Sequence, residues 1–157
     1  ILRCLVGSEM CIRDSNITEV VTSLLKEYIQ NSKRASEQLD IRLPHGNIWI
    51  LAQEKILIRI LCNLIDNALK YSTGDIMFYM WGESEYCHIQ ISNPSDYISD
   101  EELKSIFDLF YTKDEARIKS SGIGLYATRK LVIQISGDIQ VNYEAGIFTV
   151  SIKLPLI

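Results

Sequence analysis

Residues 56–69 read Ile-Leu-Ile-Arg-Ile-Leu-Cys-Asn-Leu-Ile-Asp-Asn-Ala-Leu, an apolar run long enough for four turns of helix. At about 100° per residue, Arg59, Asn63, Asp66, Asn67 and Lys70 fall within one arc of roughly 100°. Ile60, Leu61, Leu64, Ile65, Ala68 and Leu69 cover much of the remaining surface. Such a helix has to be largely buried, which rules out any fold that leaves it on the outside. Its two amides, at i and i+4, then need partners, because burying an unpaired polar group is costly. A metal ion with a polyphosphate would supply them. Two Asn on an isolated helix are equally an ordinary polar edge, since Asn is a poor helix-interior residue. The rest of the chain decides between the two readings.

With 157 residues the chain is one domain, large enough to bury a real core. Its 47% hydrophobic and 23% charged content is that of an ordinary soluble globular protein, so no fibrous or disordered class is indicated. A net charge of −4 gives no support to a nucleic-acid surface. No apolar run reaches membrane-spanning length, so no membrane contact by this domain is expected. Cys4, Cys11, Cys62 and Cys87 form no CxxC pair. Cys62 and Cys87 fall in apolar segments and read as buried thiols, which suits a reducing compartment. His45 and His88 stand alone, without a metal-ligand neighbour at useful spacing.

Residues 1–15, ILRCLVGSEMCIRDS, do not share the regular patterning of residues 16–157. They lack helical or strand periodicity and resemble a translated sequencing-adapter read. They have no long apolar core of the kind a signal peptide needs. They are set aside as a non-native leader, and the domain is expected to span 16–157. On that reading the chain is a fragment whose natural upstream part is missing.

From Asn16 the pattern becomes regular. Asn16-Ile-Thr-Glu19 is a capping box opening an amphipathic helix to about residue 38. Residues 39–43 and 47–51 read as short strands around the turn at Pro44-His-Gly46. The amide-bearing helix ends near Tyr71, with Gly74 just beyond. Residues 75–81 and 86–92 form a hairpin across 82–85. Ser99-Asp-Glu-Glu102 is a second capping box, opening a short helix to about Phe107. Residues 113–121 are polar. A helix follows over 122–135, and residues 138–143 and 147–154 close the chain as a hairpin around Ala145-Gly146. Helices and hairpins segregated in this way predict an α+β fold, with a mixed, mostly antiparallel sheet and helices on one face.

Two further stretches bear on chemistry. Ser121-Gly-Ile-Gly-Leu-Tyr126 opens a helix. Its glycines let backbone amides approach a phosphate, and the helix N-terminus adds unpaired N–H groups and a favourable dipole. A GxG before a helix is also a common packing device. The chain has no GxxxxGK[ST], and a polar loop rather than a strand precedes the glycines, so neither a P-loop nor a Rossmann motif is present. The segment Ile106-Phe-Asp-Leu-Phe110-Tyr-Thr-Lys113 is either an aromatic anchor for a helix on a sheet or the hinge of a loop that closes over a nucleotide.

In order, these motifs are N-x-x-x-N-x-x-K-Y, a hairpin, F-x-x-F-Y, a polar loop, S-G-I-G-L-Y and a final hairpin ending G-x-F-T-V-x-I-x-L-P. Together they resemble the ATP-binding catalytic domain of sensor histidine kinases, in the gyrase, chaperone, kinase and mismatch-repair ATPase superfamily. The resemblance implies the two-layer α/β sandwich of the Bergerat ATP-binding fold, with ATP and Mg²⁺ as cofactors. It makes Asn67 the Mg²⁺ ligand, Lys70 a phosphate contact and Tyr71 a neighbour of the nucleotide. Asn63 stands where hydrolytic members carry a glutamate base, and an amide takes no proton from water. Asn63 therefore speaks for a kinase that holds ATP for another nucleophile. Gly122, Ile123, Gly124 and Leu125 match the phosphate-side segment of the lid. Arg117 and Lys119 are lid cations that would balance the γ-phosphate, or else solvated surface charge.

The family's D-x-G-x-G after the hairpin is here Asn93-Pro-Ser95-Asp-Tyr97, aligned on Ile98, another nucleotide-contacting position. Asn93 replaces the aspartate that accepts from the adenine amine, both glycines are lost, and Ser120 replaces the first lid glycine. The resemblance implies transfer of the ATP γ-phosphate to a histidine on a dimerisation domain of the same parent protein, and from there to a response regulator. No histidine-bearing helical hairpin is present, so this chain alone is expected to bind nucleotide without labelling itself. The family places the domain in the cytoplasm, often beneath a membrane-anchored parent. A degenerate nucleotide-free interaction module and a serine kinase of the anti-sigma-factor type are the alternatives.

Overall fold

The computed structural model describes residues 2–3, 12–108 and 124–157. Two sheets and five helices are built from them. The larger sheet has the order β3-β5-β6-β8-β7, with β3 at Leu39–Arg42, β5 at Ile76–Glu83, β6 at Tyr86–Pro94, β7 at Asp138–Glu144 and β8 at Ile147–Pro155. Only β3 and β5 run parallel; every other neighbouring pair in this sheet is antiparallel. The mixed, mostly antiparallel sheet expected from the sequence is therefore the observed one.

Strict alternation along these strands makes one face apolar. Ile76, Phe78 and Met80 of β5, Cys87, Ile89 and Ile91 of β6, and Phe148, Val150, Ile152 and Leu154 of β8 are all buried. Because side chains alternate with period two, residues between them form the opposite face. That face carries a stack of rings, with Trp81 lying 4.5 Å from Tyr79 and 5.0 Å from His88. The apolar face is covered by helices. The central one, α3 at Glu54–Tyr71, buries Leu57, Ile60, Leu61, Leu64, Ile65 and Ala68. It packs on β6 and against both α1 at Ile17–Asn31 and α5 at Gly124–Gln134; the short α4 spans Asp100–Lys104.

The long first helix expected from the sequence is divided in two. Asn16 caps α1 as predicted, accepting from the Glu19 N–H at 3.2 Å. Ser32 then takes extended dihedrals (φ −132°, ψ 115°) and its hydroxyl caps α2, Lys33–Gln38, by accepting from the Ala35 N–H at 3.1 Å. A serine that satisfies an orphan N–H competes with helix continuation, and nothing in the apolar periodicity reveals it. The strands on either side of Pro44 do not form a hairpin. While β3 joins the large sheet, β4 at Trp49–Leu51 pairs antiparallel with β2 at Ile12–Asn16, and β2 pairs in turn with β1 at Leu2–Arg3.

Within residues 1–15, whose pattern shows no strand periodicity, residues 2–3 thus form β1 and residues 12–15 most of β2. The Ser15 hydroxyl, 6% exposed, donates to the Ala52 carbonyl at 2.6 Å. The reason is backbone rather than side-chain chemistry. A short edge strand such as β4 offers unpaired N–H and C=O groups to any extended segment, whatever its periodicity.

Turns follow the local chemistry. Ala145 and Gly146 both adopt positive φ (53° and 79°), the combination a tight two-residue hairpin requires. Helix α5 ends on Ser136 at φ 63°, with the Gly137 N–H donating to the Val132 carbonyl at 2.9 Å. Ser136 carries a Cβ in a region that favours glycine. Replacing it by glycine is expected to raise stability by about 0.5–1 kcal/mol, after allowing for the looser unfolded chain. The check is a higher urea midpoint at unchanged m-value. Gly137 is different, because a Cβ there would lie 2.8 Å from the Lys153 carbonyl oxygen.

Candidate functional site

The amide stripe of α3 is half-buried at Asn63 and Asn67 and exposed at Lys70. Among the described residues neither Asn side chain has a hydrogen-bond partner. Asp66, in the same arc, is committed elsewhere, since the Tyr28 hydroxyl of α1 donates to its Oδ1 at 2.7 Å. Burial, reinforced by the Asp66 carboxylate and by Cys62, pushes the Tyr28 phenol well above its ordinary pKa, so it remains a donor. The predicted arc therefore splits. Asp66 braces α3 against α1, and Asn63 and Asn67 are left with free carbonyl oxygens.

The C-terminus of α3 is tied down at several points. The Ser72 N–H donates to the Ala68 carbonyl at 2.9 Å, and the Ser72 hydroxyl donates to the Gly74 carbonyl at 2.6 Å. The Arg34 guanidinium reaches from α2 to the Ser72 carbonyl. Next, the Thr73 N–H donates to the Pro94 carbonyl at 2.9 Å, which joins the end of α3 to the end of β6. Asn93, on the inner face of β6 and only 3% exposed, donates from Nδ2 to that same carbonyl at 3.1 Å. Lys70 and Tyr71, in the last turn of α3, are thereby held near Asn93 by a single short linkage. The Lys70 ammonium lies 5.2 Å from the centre of the Tyr71 ring.

Ile98 is buried in the core beyond this linkage. Gly124 begins α5, whose first-turn N–H groups have no partner within the helix. Leu125 is buried, and the fully buried Thr128 donates to the Gly124 carbonyl at 2.7 Å, so this helix start is fixed in place. Arg117, Lys119, Gly122 and Ile123 lie outside the described residues, as do Phe110 and the expected lid at 113–121. The ends flanking that segment are in contact. Phe107 is half-buried against the core, and the Arg129 guanidinium of α5 lies 5.4 Å from the centre of its ring. Phe107 packs as the anchor reading of its segment expects, while residues 109–113, on which the hinge reading also depends, lie outside the described residues.

Sequence reasoning missed Arg34, Thr73, Gly74 and the Pro94 carbonyl. Only Gly74 left a signal, as a turn residue after the helix; the others act through backbone groups or over long separations. Cys87 is the buried thiol expected, and burial pushes its pKa up to about 12, whereas Cys62, also expected to be buried, is only half-buried. Among the described residues no three His, Cys, Asp or Glu side chains gather into a metal cage.

Comparison with known proteins bears on family and fold. Residues 52–157 match the family described as histidine kinase-, DNA gyrase B- and HSP90-like ATPase. Sensor protein RprX of Bacteroides fragilis is 27% identical over 154 residues, covering 93% of this chain and 30% of that protein. Sensor histidine kinase YcbM of Bacillus subtilis is 27% identical over 153 residues, covering 92% of this chain and 49% of that protein. The chain thus spans less than half the length of either relative. Among solved structures, the mycobacterial sensor histidine kinase MprB superposes with a TM-score of 0.78 at 20% identity, over 92% of this chain and 97% of that one. That likeness establishes the fold: the open sheet and its helical layer are those of a histidine kinase catalytic domain.

Proposed function

Because the chain belongs to the family of histidine kinase-, DNA gyrase B- and HSP90-like ATPases, we propose that it is the Mg-ATP-binding catalytic domain of a sensor histidine kinase. The observation that carries this is the linkage of α3 to β6, where Thr73 N–H and Asn93 Nδ2 converge on the Pro94 carbonyl. It supports the reading by tying the end of the helix that carries Asn63, Asn67 and Lys70 to the strand end that carries Asn93. The adenine amine would donate to Asn93 Oδ1. Lys70, with Arg117 and Lys119, would balance phosphate charge, and the backbone at Gly122 and Gly124 would line the phosphates.

The half-buried, unpartnered amide of Asn67 fits a hard-cation ligand. Mg²⁺ keeps several waters and binds phosphate oxygens, so a single amide oxygen is a sufficient protein ligand for it. When bound, Mg²⁺ would neutralise the phosphates and orient the γ-phosphate. Asn63 offers no base, so water is not activated there and the γ-phosphate is kept for an external nucleophile. That nucleophile would be a histidine on a dimerisation domain of the parent protein, which would pass the phosphate to a response regulator. The domain would work in the cytoplasm, as the family reading implies.

The test is phosphotransfer in trans. Incubated with γ-labelled ATP and Mg²⁺, the chain alone should remain unlabelled. A histidine-bearing dimerisation domain from a sensor kinase should acquire acid-labile label only when the chain is present. Labelling of the chain itself on serine or histidine would sink the reading. Absence of nucleotide binding by the folded chain would favour an interaction module instead.

A further inference from the structure

Lys70 has a competitor for its charge on its own helix. Asp66 is the one acid three or four residues before it, and an acid four residues N-terminal to a lysine is the favoured order for a helical ion pair. Both residues are exposed. Yet among the described residues no carboxylate pairs with Lys70, whose ammonium lies instead 5.2 Å from the centre of the Tyr71 ring.

The reason is found on α1. The Tyr28 hydroxyl donates to Asp66 Oδ1 at 2.7 Å, across 38 residues of chain. A hydrogen bond to a charged acceptor outweighs an exposed ion pair that must also order a long lysine side chain. The donor itself is held in place. Tyr28 is half-buried against the core, and its carbonyl accepts from the Ser32 N–H at 2.9 Å. Cys62, one turn before Asp66, also faces the Tyr28 phenol, so this side of α3 is the one turned to α1. The carboxylate is thereby drawn to the α1 edge of the polar arc, while Lys70, Asn63 and Asn67 follow one another further round the helix.

We propose that the Tyr28 hydroxyl, by holding Asp66 toward α1, keeps that carboxylate off Lys70 and so leaves the lysine's charge for the phosphates of a bound nucleotide. Tyr28 is a positioning residue, acting through Asp66 on Lys70. The proposal rests on the Mg-ATP reading above and adds to its phosphate end a residue from a different helix. Without the hydroxyl, Asp66 turns to Lys70, and nucleotide binding has first to break that pair.

Two measurements on the whole chain test this. The first needs no nucleotide. NMR relaxation of the Lys70 ammonium nitrogen should show a more ordered group in Tyr28→Phe than in the parent, and the added order should disappear in Tyr28→Phe/Asp66→Asn. The second is competition binding of Mg-ATP to the parent, both single variants and the double variant. Tyr28→Phe is expected to bind about two- to fivefold more weakly, the range set by exposed ion pairs. Asp66→Asn removes a negative charge in either background, so the informative quantity is the difference between its two effects. It should raise affinity more without the Tyr28 hydroxyl than with it. If Tyr28 merely braces α1 on α3, no such rescue occurs, because asparagine at position 66 does not restore the lost bond. Equal Lys70 order in the parent and Tyr28→Phe, or equal effects of Asp66→Asn in the two backgrounds, would overturn the proposal while leaving the nucleotide reading intact. A folded chain that binds Mg-ATP in none of its versions overturns both.

Discussion

Asn67→Ala is expected to weaken Mg-ATP binding by at least about tenfold, or about 1.4 kcal/mol. The loss should vanish when Mg²⁺ is removed. The amide of Asn67 is half-buried, and among the described residues it has no hydrogen-bond partner to lose. Its removal from the helix should therefore leave stability within about 0.5 kcal/mol of the parent, since alanine is the better helix former. The pair of measurements forms a cycle. Affinity is titrated for parent and variant, each with Mg²⁺ and with EDTA, and the difference of differences isolates the residue–metal coupling. A variant that loses affinity equally in both conditions would show that Asn67 touches nucleotide without a metal. A variant indistinguishable from the parent would remove Asn67 from the site.

Phe78→Ala is expected to destabilise the fold by about 3–5 kcal/mol, a substantial part of what a domain of this size has. Phe78 is fully buried on the helix-facing side of β5, paired in register with Ile41 of β3 and Ile91 of β6. Both neighbours are held by ladder hydrogen bonds, so the walls around the lost ring collapse little and a cavity remains. Met77, the preceding residue, is 40% exposed on the other face, and Met77→Ala should cost no more than about 0.5 kcal/mol. Urea unfolding of both variants checks this. Similar midpoints for the two would mean that the alternation along β5 does not define the core.

Much of this architecture was legible in residue pattern. The alternation in 75–81, 86–92 and 147–154 specified which face of each strand is buried, because period two admits one assignment once a strand is recognised. The N-caps at Asn16 and Ser99 were legible because each is a local side-chain-to-backbone bond, and both are made. The break at Ser32 was not, since the apolar stripe runs on through a position whose hydroxyl happens to cap a new helix. Nor was the pairing of residues 12–16 with β4, because an open strand edge recruits backbone without regard to side chains. At the site, the α3 amides and the start of α5 could be named from spacing. The split of the arc could not, because Asp66 finds its partner 38 residues away in Tyr28.

The chain's own residues thus determined the helix, the strands, the family and the kinds of group proposed to face a nucleotide. Each of these depends on interactions within a few residues or on a period along one element. Tertiary structure alone decided which end of the Asn93 amide remains available. That choice depends on where the backbone of Thr73 meets the carbonyl of Pro94, and a hydrogen bond between main-chain groups 21 residues apart leaves no mark on side-chain identity.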